Sequence, residues 1–248
     1  MDPTTSKRAG EIDSTLFDRL LHTHVRHGQV DYQGLRRQRA DLQLFLDDLA
    51  QLAPDRFPVN EERLAWWLNA YNAVNLQGVL DYWPLPSVKQ VPGFFNRIRY
   101  RVGGRWLTID QIERQARAFH EYRVHFALTC ASAGAPWLRA EAYEARRLEG
   151  QLDEQAREFV ADPQRGVRLD ESRGEIWLSK IFHWSSPDMI GSRLPNVVVA
   201  PCIPGTILET VARSVDQQTR KTLRARRWRI RYLPYDWSLN GPKYANSL

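Results

Sequence analysis

The side chains with the greatest chemical reach lie in or near one stretch, His125 to Arg139, which reads HFALTCASAGAPWLR. It carries a thiol at Cys130, an imidazole at His125 and a hydroxyl at Ser132. A cysteine nucleophile needs a base within hydrogen-bond reach and a third group that orients that base. His125, Ala127 and Thr129 alternate with Phe126, Leu128 and Cys130, so the period predicts a strand that ends in a small-residue turn. In a strand a separation of five sends His125 and Cys130 to opposite faces, roughly 16 Å apart, and they cannot serve each other unless the strand breaks between them. Cys130 then shares its face with Phe126 and Leu128, where a thiol behaves as a small buried hydrophobe with a raised pKa. His125 faces the other way, with room for a ligand or for a partner such as Asn72 or Asp236. Asp236 could equally brace its own turn. Backbone N–H groups at Ser132 and Gly134 could receive an anion or an oxyanion, although Ala-Ser-Ala-Gly is also simply a tight turn. The working alternative pairs Cys130 with His183 or His120.

The elements that must hold these groups are mostly helices. Leu64 to Leu80, LAWWLNAYNAVNLQGVL, is apolar on almost every side and is therefore expected at the centre of the fold. Asn69 and Asn72 share one face of it, and a buried amide left without a partner costs about 1 to 3 kcal/mol. These two either pin a neighbouring loop or line a site. Leu16 to Val25 and Leu42 to Leu49 repeat at helical spacing. Ile98 to Leu107 alternates around Gly103-Gly104, a hairpin signal, and Thr108 with Gln111 forms a capping box for a helix that carries Glu113. A helix through Leu148, Leu152, Ala156 and Phe159 stops by Pro163. A second hairpin joins Gly166–Leu169 to Glu175–Leu178, and a last strand runs from Trp228 to Tyr232. The order predicts an α+β domain in which the central helix packs on an antiparallel or mixed sheet. Residues 1–13 are polar and expected to be flexible, and 14–248 are read as one domain.

Composition narrows the function classes. The 248 residues include nine tryptophans, enough to suggest an aromatic core or a ligand-facing groove. No stretch is apolar for the ~20 residues of a membrane span. The net charge of +6 permits an acidic partner. In the densest basic run, Arg224 to Arg231, Arg229 and Arg231 alternate with Trp228, Ile230 and Tyr232, which fits a strand with one solvated face better than a nucleic-acid surface. Cys130 and Cys202 cannot build a disulfide framework. His22, His24 and His27 crowd a helix end, where their charge is favoured without any metal. No metal or other cofactor is expected. The N-terminus lacks an export signal, so the chain as written reads as cytoplasmic, with an exported form whose signal was removed as the alternative.

Five ordered blocks then resemble one family. WLNAYNA (Trp67 to Ala73), LTIDQIE (Leu107 to Glu113), HFALTCAS (His125 to Ser132), LSKIFHW (Leu178 to Trp184) and YDWSLN (Tyr235 to Asn240) are similar to the blocks of the family catalogued as domain of unknown function 547. The resemblance implies members that are often bacterial and exported, with a remote likeness to papain-like or transglutaminase-like cysteine enzymes. It also implies a cysteine where this chain has Ala135, before Pro136, and a histidine where it has Arg114. The expectation is thus a cleft of cysteine-enzyme ancestry, built from Asn69, Asn72, His125, Ser132 and Asp236, that binds a small or peptide-like ligand with the thiol chemistry lost. The rivals are an active hydrolase or acyltransferase using Cys130 with His183, and a non-catalytic interaction module with a basic face.

Overall fold

Ser14 precedes helix α1 (Thr15–His24), which buries Phe17, Leu20, Leu21 and His24 along one stripe. In this computed structural model the described residues are 13–191 and 204–242, so the first twelve residues and Cys202 lie outside them. Two short strands follow, β1 (Val25–Arg26) and β2 (Gln29–Val30). Between them Gly28 takes φ +73°, and a Cβ there would meet Trp137 Cγ at 2.2 Å, so only glycine fits. Asp31 caps α2 (Tyr32–Arg37) by accepting from Gly34 N at 2.9 Å. Helix α3 (Arg39–Gln51) buries Leu42, Phe45, Leu46 and Leu49, the set its period dictates.

Helix α4 (Asn60–Asp81) is buried at every position from Leu64 to Leu80. Fully burying one Leu or Val contributes about 1.5 to 3 kcal/mol, so this helix anchors the larger of two apolar clusters. After it comes the hairpin of β3 (Arg99–Val102) and β4 (Arg105–Thr108), turned by Gly103 and Gly104 at φ +59° and +76°. Thr108 and Gln111 exchange the two bonds of a capping box at the start of α5 (Ile109–Arg117). Helix α4 is central as expected, but its main packing partners are α3 and α5 rather than a sheet.

The expected strand at His125–Cys130 is absent. Val124 to Ala127 forms one helical turn, α6 (Val124–Ala127), closed by Leu128 N donating to Val124 O at 3.0 Å. Leu128 to Cys130 then runs without a ladder partner, and only Ser132 bridges, to Leu239. A short apolar run has the same alternation whether it is strand or buried helical turn, and here packing decides. Val124 and Ala127 enter the cluster around α4, while Phe126 enters the second, against Phe159 and Phe182 at 5.3 and 5.6 Å between centroids. The short helix therefore joins the two cores.

That second core is built by α7 (Leu148–Ala161), the antiparallel pair β5 (Val167–Asp170) and β6 (Glu175–Leu178), α8 (Lys180–Trp184), α9 (Ser186–Gly191), α10 (Pro204–Arg213), α11 (Gln217–Ala225) and β7 (Arg229–Tyr232). Strand β7 lies parallel to β6, which makes a three-stranded mixed sheet. The architecture is α+β. Among the described residues no helix is long and apolar enough to cross a membrane.

Candidate functional site

Two asparagines of α4 hold the chain that carries the thiol and the turn beyond it. Asn72 donates Nδ2 to Ala127 O at 3.1 Å and accepts from Thr129 N at 3.0 Å. Asn69 makes the same pair of bonds to Tyr143, with Nδ2 to its carbonyl at 2.9 Å and Oδ1 from its N–H at 2.8 Å. Each carboxamide thus offers the donor and acceptor that a neighbouring strand would have supplied. This explains how Leu128–Cys130 stays extended outside any sheet. Both side chains are buried, and both pin backbone rather than line an opening.

His125 does not meet Asn72 or Asp236. Its Nε2 lies 3.0 Å from Asp188 Oδ2 on α9, and Arg117 Nε donates to the same oxygen at 2.6 Å. Arg117 also reaches Glu113 Oε1, one helical turn earlier, at 3.4 Å. The hydrogen bond from His125, followed by that from Arg117, holds the Asp188 carboxyl well below the usual carboxylate range. Burial instead pushes Glu113 upward, against the attraction of Arg117 and His125. The four groups form a polar cluster that ties α5, α6 and α9 together.

Cys130 is a partly buried free thiol whose hydrogen-bond partners are hydroxyls. Its Sγ lies 3.1 Å from Ser132 Oγ and 3.2 Å from Tyr235 Oη, and those two oxygens are 2.8 Å apart. Burial raises the thiol pKa, and the two hydroxyl contacts offset only part of that rise. Neither His120 nor His183 bonds to it; the His183 ring packs on Tyr232 at 5.2 Å. A thiol held in its neutral form and without an imidazole lacks the activation that the hydrolase alternative requires. Tyr235 is itself fixed by Trp184 and Trp237, at 4.9 and 4.7 Å between centroids.

The turn after Cys130 spends its donors internally. Ala133 N donates to Ser238 O at 2.7 Å, Gly134 N to Asp236 O at 2.8 Å and Ala135 N to Ser132 O at 3.1 Å. The N–H of Gly134 is therefore not available to an oxyanion. The C-terminal segment that receives these bonds is stitched down along its length: Ser87 Oγ donates to Trp237 O at 2.6 Å, Leu239 N to Pro86 O at 2.9 Å, and Tyr32 Oη to Asn240 Oδ1 at 2.6 Å. Asp236 Oδ1 accepts from Ser238 N at 2.8 Å, bracing the turn.

Beside this seam opens a cleft of about 1410 Å³. Ser132, Ala133, Ala135 and Asp236 form part of its wall, and Trp83 and Trp137 supply broad apolar surface. Arg165 stacks over Trp137 at 4.2 Å and pairs with Asp162 at 2.6 Å. Arg26, Gln29, Gln33 and Arg36 also line the cleft. Of the five expected ligand-binding residues, Ser132 and Asp236 line this cleft, and Asn69, Asn72 and His125 do not. Among the described residues no group of three or more His, Cys, Asp or Glu is arranged to hold a metal ion. Of the three clustered histidines, His24 Nε2 bonds Gln38 Oε1 at 2.9 Å, and His22 pairs with Asp18 at 3.2 Å.

Residues 54–160 match the model of the family described as "Protein of unknown function, DUF547". Over that span the chain is similar to DUF547. The matched span runs from the turn before α4 to the end of α7, and so includes His125, Cys130, Ser132 and Ala135. No curated protein and no solved structure matches the chain. Around the DUF547 span the site borrows Asp188, Tyr235 and Asp236 from later sequence. Sequence reasoning missed the first two of these as partners. The Glu113–Arg117 pair was readable from its spacing of four, whereas nothing local marked Asp188 as the partner of His125.

Proposed function

We propose that this protein binds a small or peptide-like ligand in the cleft walled by Trp83 and Trp137, through a site of cysteine-enzyme ancestry that no longer performs thiol chemistry. The observation that carries the reading is the composition of the wall. Ala135, at the position where the family resemblance implies a cysteine, is buried in that wall and carries no thiol. Beside it the Ser132 hydroxyl is engaged by Tyr235 and Cys130. Arg114, at the implied histidine position, is exposed on α5 and bonds the Asp110 carbonyl at 3.4 Å.

The volume exceeds the roughly 300 to 1,000 Å³ of a pocket for a drug-sized molecule, so it suits an extended ligand. Aromatic walls supply apolar area, and the lining glutamines and arginines can pair with amide and carboxylate groups. Thermal-shift screening with short peptides and small carboxylates tests this. A ligand at a hundred times its Kd stabilises by about 2.7 kcal/mol, or about 5 to 10 °C in a chain of this size. Trp137→Ala should weaken that ligand about thirtyfold, as expected for loss of an aromatic anchor. A shift that survives Trp137→Ala unchanged would move the ligand elsewhere, and the reading would fail.

A further inference from the structure

The hairpin of β3 and β4 carries Arg99, Arg101 and Arg105, with Arg97 just before it, and from Gly93 to Thr108 the sequence holds no acidic residue. Its antiparallel register sets Arg101 opposite Trp106 and Arg99 opposite Thr108. Cross-strand partners share a face, so Arg99, Arg101 and Trp106 lie together on one side. On the other side Val102 is buried and Arg105 lies over the Trp67 ring at 5.9 Å. Trp106 is 64% exposed, the most open of the large apolar side chains among the described residues. Among the described residues its ring touches no other aromatic or cation, and none of the four arginines has a carboxylate partner.

The Arg224–Arg231 run behaves differently. Arg224 pairs with Glu209 at 2.6 Å, and Arg229 and Arg231 share Glu175 at 3.5 and 3.2 Å. Three of its five arginines thus meet a carboxylate within the fold, whereas none of the hairpin's four does. The hairpin is also held rigidly: Gly103 N and Gly104 N donate to Leu49 O and Ala50 O, each at 2.8 Å. A rigid face loses little freedom on binding.

We propose that this face docks a short acidic segment of a partner protein, a function separate from ligand binding in the cleft. Arg99 and Arg101 are two residues apart on one strand, about 6.8 Å, which is also the spacing of alternate side chains in an extended peptide. Carboxylates at alternate positions meet the two guanidinium groups, and an apolar side chain between or beside them covers the indole. Tryptophan and arginine are the residue types that most often carry binding energy at protein interfaces. A membrane surface or a long nucleic acid fits less well. Asp47 and Asp48 on α3, and Asp55 and Glu61 around the start of α4, are exposed on elements that pack around the hairpin. A broad polyanion would meet those charges, whereas a short peptide need touch only the hairpin.

The test is fluorescence polarisation with a labelled peptide of alternating Glu and Leu, run beside phosphatidylcholine–phosphatidylserine vesicles and oligothymidine. The peptide should bind more weakly as salt rises. Trp106→Ala and the double variant R99Q/R101Q should each weaken it at least about tenfold. R226Q/R227Q, at the other basic run, should leave it unchanged. All these side chains are exposed, so the variants retain the fold, and circular dichroism verifies that. Failure of the peptide to bind, binding insensitive to Trp106 and Arg101, or a Trp106-dependent preference for vesicles or oligothymidine would each overturn the proposal.

Discussion

Replacing Asn72 by alanine should cost about 4 kcal/mol, because the carboxamide serves two buried backbone groups at once. Ala127 O and Thr129 N lose their partners together. An unsatisfied buried donor or acceptor costs about 1 to 3 kcal/mol, and Ala127 and Thr129 are both buried. In a chain of this size the loss corresponds to a fall in Tm of about 8 to 16 °C. Urea unfolding followed by tryptophan fluorescence would read it as a lower midpoint with an unchanged slope. Asn75→Ala provides the control. Asn75 is as deeply buried on the same helix, but its Nδ2 bonds only the Tyr71 carbonyl one turn back, at 2.9 Å. That variant should cost less than about 1 kcal/mol. Equal losses for the two, or a loss under about 1 kcal/mol for Asn72→Ala, would refute the claim that the amide stands in for a missing strand.

Two further outcomes follow from the same geometry. Asp188→Asn should destabilise the fold by about 1 to 2 kcal/mol at neutral pH, since it weakens bonds from both His125 and Arg117. The folded carboxyl titrates below the unfolded one, so its contribution is present above about pH 4 and fades as pH falls further. Urea midpoints measured across pH should therefore converge for the two proteins in acid, and a difference independent of pH would contradict the assignment. Thr108→Ala removes one arm of the capping box on α5 and should cost about 1 kcal/mol, read in the same assay; no change would mean that Gln111 suffices alone.

Features set by neighbouring residues were legible in the sequence. The stripes of α1 and α3, the Gly103-Gly104 turn and the Thr108–Gln111 box are all local, and each stands where its pattern puts it. The apolar run of α4 announced a central helix, and its two asparagines announced that something had to be held. What they hold was not legible, because an amide that bonds backbone 55 residues away leaves no trace in spacing. The stretch at His125 misled for a related reason. Four residues of helix have too few turns to display a period, and Asn72 made an extended segment stable without a sheet. The pairs His125–Asp188 and Cys130–Tyr235 join residues 63 and 105 apart, so only the folded chain reveals them. Family resemblance placed Ala135 at a site, and only the folded chain sets it in the cleft wall.

The central claim is an open cleft beside a thiol that does no chemistry, and the reactivity of Cys130 tests it most directly. Iodoacetamide labelling at neutral pH, read peptide by peptide in a mass spectrometer, should modify Cys130 in the folded protein at least about tenfold more slowly than in the urea-unfolded chain. Labelling as fast as in the unfolded chain, or faster, would mean that the sulfur is an exposed thiolate and that the account is wrong.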